Sequence, residues 1–241
     1  MKLALIGYGR MGKAIAQMAP QWGHTITAVF DGQTPLSLES DLSGIDVCID
    51  FSVPDAVLRN TQLVCRARKN LVIGTSGWYE KLPEVERLVE EAQIGCIYAS
   101  NFSLGVNLFF QIVEEAARRF NSFGQYDVFI QEAHHRRKKD SPSGTAWRLG
   151  QIILEQMSSK SRVKAEAIHG QIAEDSLHIA SLRAGTIHGT HTVGFDADAD
   201  TITLTHRARS RDGFTAGAIQ AAEWIVNQTG FYTMRDLINS K

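Results

Sequence analysis

The sequence predicts an α/β protein in two parts: a doubly wound parallel sheet, then a smaller α+β domain with an open mixed sheet. Three observations in the 241 residues carry this expectation. Short apolar runs alternate with helical stretches as far as residue 103, and the first run opens directly into a Gly-x-Gly-x-x-Gly turn. Beyond residue 120 short alternating runs follow one another with little helix between them. On this reading 1–103 and 215–241 form one domain, and 104–214 the other.

In the first part, strands are expected at 3–6, 25–30, 46–51, 71–73 and 96–99, each rich in Val, Ile, Phe or Cys. Helices are expected at 11–22, 54–68 and 83–93, with Pro54 and Pro83 where a first-turn proline is tolerated. Residues 104–120 place Leu108, Phe109, Ile112, Val113 and Ala116 at helical spacing, and link the halves. Strands follow at 126–133, 163–169, 177–182, 190–195 and 201–209, interrupted by a helix over 145–157. In the last strand Ile202 and Leu204 alternate with Thr201, Thr203, Thr205 and Arg207, which predicts one buried and one polar face. The tail regains helical periodicity at 215–226 and 234–238, and is expected to fold back onto the first domain. An open sheet must hide its second face or its edges, so an oligomer is expected.

Composition narrows the function. Lys and Arg total 25 against 26 Asp and Glu, a formal charge of −1, so a protein devoted to nucleic acid or to an anionic membrane is disfavoured. Cys48, Cys65 and Cys96 are odd in number, lack Cys-x-x-Cys spacing and sit in apolar runs; they read as reduced core thiols of a cytoplasmic protein. The longest uncharged run, 92–113, is broken by Gln93, Asn101, Asn107 and Gln111, so no membrane helix is expected. No signal peptide is visible at the N-terminus.

Two motifs carry chemistry. Gly7-Tyr8-Gly9-Arg10-Met11-Gly12 closes a strand and opens a helix, as a dinucleotide pyrophosphate requires: one glycine for the turn, one for phosphate approach, one for helix–strand packing. Asp31 ends the second strand 19 residues after Gly12, where a carboxylate can bind the adenosine ribose. This half therefore reads as a Rossmann-type domain for NADH, NADPH or both. Asp31 repels a 2′-phosphate while Arg10 and Lys13 could meet one, so dual use without strong NADPH preference is expected.

The second motif is Glu132-Ala133-His134-His135-Arg136-Arg137-Lys138-Lys139-Asp140-Ser141-Pro142-Ser143-Gly144-Thr145. Histidine can deliver a proton near neutral pH, lysine adds a second acid or a fixed charge, and a Ser-Gly-Thr helix start offers backbone donors to a carboxylate. A small anion protonated during reaction fits this set. A solvated basic loop and a nucleic-acid contact are the competing readings, and the run carries no interleaved aromatics for the latter. A metal site is not expected, because the His188 and His191 spacing does not aim both at one ion. His169, His178 and His206 read as packing or interface residues.

These segments resemble the dihydrodipicolinate reductase family of bacterial diaminopimelate and lysine biosynthesis. The resemblance rests on 7–12, Ile49-Asp50-Phe51-Ser52, Gly74-Thr75-Ser76-Gly77, Ser100-Asn101-Phe102-Ser103-Leu104-Gly105-Val106-Asn107 and the 132–145 loop. Further support comes from Arg183-Ala184-Gly185, Gly189-Thr190-His191 and Met234-Arg235-Asp236. It implies that His134 is the general acid or base and Lys138 a proton donor, with His135, Ser143, Gly144 and Thr145 holding the carboxylates of a small dicarboxylate substrate. It further implies that Gly74, Thr75, Ser76, Ser100, Asn101, Phe102 and Ser103 line the nicotinamide, and that the protein is a homotetramer joined through its second sheet. The implied reaction is hydride transfer from NADH or NADPH to a cyclic imine dicarboxylate, with loss of the 4-hydroxyl as water and protonation of the neighbouring carbon. Closure of the two domains about hinges near 103 and 214 is expected with it. The chain departs from the family in a shorter glycine loop, in Ser141 where Ala is more usual, and in a connection of 14 residues, 32–45, where a helix is expected to be trimmed or absent. Another two-domain dehydrogenase, acting on an amino acid or a sugar, and a dinucleotide-sensing regulatory module are the alternatives.

Overall fold

The computed structural model describes all 241 residues. It divides into two compact units, Met1–Asn107 with Asp212–Lys241, and Leu108–Arg211. In chain order the elements are β1 (Lys2–Ile6), α1 (Arg10–Met18), β2 (Thr25–Phe30), β3 (Val47–Asp50), α2 (Pro54–Arg66), β4 (Asn70–Ile73), α3 (Leu82–Ala92) and β5 (Gly95–Tyr98). Then come α4 (Leu104–Phe120), β6 (Asp127–His134), α5 (Gly144–Gln156), β7 (Arg162–Lys164), β8 (Ser176–Arg183), β9 (Thr190–Asp196) and β10 (Thr201–Arg207). The chain ends with α6 (Asp212–Ile225), β11 (Gly230–Thr233) and α7 (Met234–Asn239). No helix is long and apolar enough to cross a membrane.

The first unit is a six-stranded sheet in the order β11-β5-β4-β3-β1-β2, and every pairing is parallel. Its inner strands β1, β3, β4 and β5 are buried on both faces, so alternate residues feed two separate cores. Leu3, Leu5, Val47 and Ile49 meet Ile15 of α1 and Ala218, Ile219 and Ile225 of α6. Ala4, Ile6, Cys48 and Leu71 meet Val57 and Val64 of α2 and Val85 and Val89 of α3. The tail therefore completes the first unit, with α6 supplying one of its two helical layers. Helix α2 opens with Pro54, whose missing N–H costs nothing in the first turn, and its Asp55 and Arg66 suit the helix dipole at either end. The helix expected over 11–22 is α only to Met18, and a 3₁₀ turn Ala19–Trp22 follows, because Pro20 has no N–H to continue the α ladder. Between β2 and β3 there is no helix or strand, and Leu36, Leu42 and Ile45 anchor the connection in the core.

Strand β11 was not anticipated. It is a four-residue edge strand, half-buried throughout, paired only with β5. Its Phe231-Tyr232-Thr233 run is β-prone, but too short to stand out beside the helices that flank it.

The second unit is a mixed five-stranded sheet in the order β10-β9-β6-β8-β7. Strand β6 runs parallel to β8 and antiparallel to β9. One face packs on α4 and α5 through Val113, Ala117, Leu149 and Ile153 against Val128, Ile130, Leu177, Ile179, Val193 and Phe195. Two expectations fail at the edges. The strand expected over 163–169 is only Arg162–Lys164: the next residues on the parity of Val163 are Ala165 and Ala167, too little apolar surface to hold an edge strand. Strand β10 stops at Arg207, and its expected buried face is only partly buried: Leu204 packs against the core, but Ile202 is 43% exposed. As an edge strand it has a neighbour on one side only.

Candidate active site

In the first unit the glycine turn lies at the C-terminal end of β1, between β2 and β3, where the sheet order reverses and a crevice forms. The three glycines have different causes. A Cβ at Gly7 would lie 2.3 Å from the Phe51 carbonyl oxygen, and one at Gly12 would lie 2.2 Å from the Gly7 carbonyl oxygen. The fold itself demands these two. A Cβ at Gly9 would meet nothing within 4 Å, so no packing in the chain requires glycine there. An exposed glycine before the uncapped N-terminus of α1, which has no acidic residue in its first turn, is what close approach of a pyrophosphate requires. The residues present thus fit a dinucleotide. Arg10 and Met11 begin α1, and Tyr8 lies on the exposed side of the turn with Lys13 Nζ 5.9 Å from its ring.

Asp31 follows β2 directly. Its Oδ1 accepts from the backbone N–H groups of Thr34 and Gln33 and from the Thr34 hydroxyl, which hold the carboxyl below its ordinary range. No bond falls on Oδ2.

The next two loops of the crevice are braced by Asp50, whose role the sequence did not reveal. Its buried carboxylate accepts from Ser52 N and Oγ, from Thr75 Oγ1 at 2.8 Å and from Asn60 Nδ2 at 2.9 Å. One side chain of β3 thereby fixes the loops after β3 and β4. Gly74 lies under the Phe51 ring, where any Cβ would collide at 2.1 Å, and Ser76 is exposed beyond the buried Thr75. After β5, exposed Ser100 leads into a self-braced turn: Asn101 Oδ1 accepts from Ser103 N, and Asn107 Nδ2 donates back to the Asn101 and Ser103 carbonyls. Phe102 is not at the surface of that turn. It is 2% exposed and packs in the core with Ala218 and Ile219, so it shapes the turn from behind.

In the second unit the site is the polar end of an otherwise apolar sheet face. Alternation puts Val128, Ile130, Glu132 and His134 of β6 on one face; the first two fill the core and the last two form the site. Register sets Glu132 between Ser181 of β8 and His191 of β9, and His134 beside Arg183. Glu132 is buried. Its Oε1 accepts from Arg183 Nη2 at 2.6 Å and from Ser143 N at 3.3 Å, and its Oε2 takes a short hydrogen bond from His134 Nδ1. Burial pushes the Glu132 carboxyl up, but the bonds from His134 and Arg183 outweigh it and hold the group at about 2. His134 Nε2 has no partner in the chain.

Ser143 is the N-cap of α5. Its Oγ accepts from Ala146 N at 3.2 Å and meets His191 Nε2 at 3.0 Å. The Gly144 and Thr145 amides have no acceptor in the chain, and a Cβ at Gly144 would meet nothing within 4 Å, so the start of α5 presents donors in open space. His191 is pushed down to about 4, by burial first and then by the neighbouring His134. Lys138 binds both oxygens of Asp140, at 2.8 and 2.9 Å. Burial lowers the His135 pKa, and Arg211, His134, Lys138 and Arg137 lower it further. A bound anion would reverse that bias.

His134, Lys138, Ser143, Gly144 and Thr145 are thus on one loop and its flanks, as their closeness in sequence requires. Glu132, Arg183 and His191 lie in segments the sequence singled out, but it assigned them no role. The available signal was a glutamate two residues before a histidine on the core-facing parity of a strand. Ligand atoms of Glu132, His134 and His191 lie within 4.8 Å of one another, near enough for a cation by distance. Glu132 is bonded to His134 and Arg183, while His191 is bonded to Ser143.

A doubly wound domain with a dinucleotide turn, joined to a second domain with a buried carboxylate–imidazole pair, defines an NAD(P)H-dependent oxidoreductase. Residues 1–102 match the model for the dihydrodipicolinate reductase N-terminus, and residues 105–238 that for its C-terminus. The chain belongs to the dihydrodipicolinate reductase family. It is 39% identical to a 4-hydroxy-tetrahydrodipicolinate reductase of Christiangramia forsetii, over 99% of this chain and 98% of the relative. With one of Archaeoglobus fulgidus it is 36% identical, over 99% and 100%. A dipicolinate-bound dihydrodipicolinate reductase from a Paenisporosarcina species superposes with a TM-score of 0.80 at 26% identity, covering 98% of each chain. The fold alone is shared with a putative myo-inositol dehydrogenase of Sinorhizobium meliloti, TM-score 0.57 at 12% identity, covering 95% of this chain and 89% of that one.

Proposed function

We propose that this protein reduces 4-hydroxy-tetrahydrodipicolinate to tetrahydrodipicolinate with NADH or NADPH, in diaminopimelate and lysine biosynthesis. The observation that carries the reading is His134, tied at Nδ1 to a buried carboxylate and unpartnered at Nε2, beside a helix start with free donors. The Gly9 turn and the α1 N-terminus hold the pyrophosphate, Asp31 the adenosine ribose, and Gly74 to Ser76 with Ser100 to Ser103 the nicotinamide, Phe102 from behind. When bound, the reduced nicotinamide supplies the hydride. The chain supplies the rest. The Gly144 and Thr145 amides, the Ser143 hydroxyl and His135 take the two carboxylates of the substrate, each charge-assisted bond worth about 1.5 to 3 kcal/mol. His134 delivers the proton to the carbon next to the reduced one, and Lys138 is the second donor, its ammonium oriented by Asp140.

Adding the product of the upstream synthase to enzyme and reduced cofactor should give steady loss of absorbance at 340 nm. Replacing His134 by Gln or Lys138 by Ala should lower kcat by roughly 10² to 10⁴. If both variants keep native kcat and only raise KM, these residues bind and do not donate. Tight NADH binding without turnover would favour a dinucleotide sensor.

The exposed face of the second sheet supports a homotetramer: Leu182 is 52% exposed there, on a face it shares with Gln131 and Thr205. Light scattering at working concentration should give four chains. A monomer would remove that assignment. A reducing cofactor and three buried free thiols suit the cytoplasm.

A further inference from the structure

An imidazole that moves a proton must present one nitrogen to the substrate and keep the other occupied. Which nitrogen does which follows from Glu132. An ionised carboxylate only accepts, so the ring must carry its hydrogen on Nδ1 when it bonds Oε2. Nε2 is then the working atom. Space beside it is kept by Gly189, where an added Cβ would lie 3.0 Å from that nitrogen.

Glu132 in turn is not free to move. Arg183 Nη2 donates both to its Oε1, at 2.6 Å, and to the Asp140 carbonyl, at 2.8 Å, so one guanidinium pins the carboxylate to the loop that carries Lys138. The other ring at hand, His191, lies edge-on at 5.1 Å and is engaged by Ser143 instead. It does not compete for the carboxylate.

We propose that Glu132, locked by Arg183, is the positioning residue of the reaction: it fixes the tautomer and aim of His134, and steadies the ring's positive charge until the proton leaves Nε2. This rests on the reading of His134 as the acid. Glu132 itself touches no reacting atom.

The test uses Glu132→Gln, which keeps the shape and loses the charge. In the native background kcat should fall roughly 10- to 100-fold with KM changed less than about threefold. In a His134→Gln background the same change should cost less than about twofold, because Glu132 then has nothing to position. Histidine ¹⁵N correlation spectra should show His134 protonated on Nδ1 in the native protein and lose that preference in Glu132→Gln. An unchanged tautomer, or an equal loss of kcat in both backgrounds, overturns the proposal. Native kcat in His134→Gln alone overturns the acid role instead, while the tautomer comparison still reports on the pair. Arg183→Lys is a milder probe should Glu132→Gln not fold. It should lower kcat several-fold in the native background only, and an equal drop in both would again refute the positioning role.

Discussion

The functional ends of the two units are made of opposite materials. The glycine turn is built largely by leaving atoms out: two glycines because the backbone passes too close, and a third, Gly9, with open space where a Cβ would stand. The site on the second unit is built by burying polar and charged groups, a carboxylate and two imidazoles with a guanidinium beside them, on one sheet face. One should fail when a methyl group is added, the other when a charge is removed.

The sharpest contrast lies within the glycine turn. Alanine at Gly12 puts a carbon 2.2 Å from the Gly7 oxygen, with backbone on both sides of the clash. That should cost about 3 kcal/mol or more. Alanine at Gly9 meets nothing within 4 Å, so urea unfolding should stay within about 0.5 kcal/mol of native. Its NADH dissociation constant, read by fluorescence titration, should nevertheless rise about tenfold or more, which is about 1.4 kcal/mol of binding. Native affinity in Gly9→Ala would mean that the ligand is not why glycine stands there.

Asp50 is where the first unit behaves like the second. Its buried carboxylate takes bonds from Ser52, Asn60 and Thr75. Asparagine would turn an NH₂ toward at least one of those donors, so Asp50→Asn should cost about 1 to 3 kcal/mol. Thermal melts with and without NADH separate a loss of fold from a loss of binding. If stability is native and only cofactor affinity falls, the network serves the ligand rather than the fold.

Acid should distinguish the units without mutation. His191 is pushed down to about 4 from 6.5, so the folded state refuses a proton that the unfolded chain accepts, and stability falls as pH drops from 6.5 toward 4. Glu132 is held at about 2 against 4.5; its stabilisation is complete above 4.5 and is lost as pH falls through 2. Hydrogen exchange should therefore loosen β6 and β9 before β1 and β3. In His191→Asn the decline between pH 6.5 and 4 should be shallower. An identical slope would mean that the buried neutral ring is not its cause.

How much of this was legible follows from distance along the chain. The glycine turn, Asp31 and the run from His134 to Thr145 are local patterns, and each signals its chemistry through spacing alone. Arg183 and His191 lie 51 and 59 residues from Glu132 in sequence. They reach it only through the register of β6 with β8 and β9, which no local pattern encodes. Asn60 is similar: with Thr61 it is a polar residue on a buried helix face, with no sign that Asp50 waits beneath it. The missed β11 and the overlong β7 and β10 are edge strands, where half of the pairing that makes a strand is missing.

The smallest effect expected is on cofactor choice, where the local pattern is ambiguous. All three bonds to Asp31 fall on Oδ1, and the backbone N–H of Thr34 and then of Gln33 keep the group ionised at neutral pH. Oδ2 remains for a ribose hydroxyl and would repel a 2′-phosphate, while exposed Arg10 and Lys13 would attract one. These influences offset, so kcat/KM for NADH and NADPH should agree within about tenfold, and Asp31→Ala should move the ratio toward NADPH by about tenfold. A native enzyme favouring NADPH by a hundredfold would mean that the ribose is held elsewhere, and that Asp31 only closes its own turn.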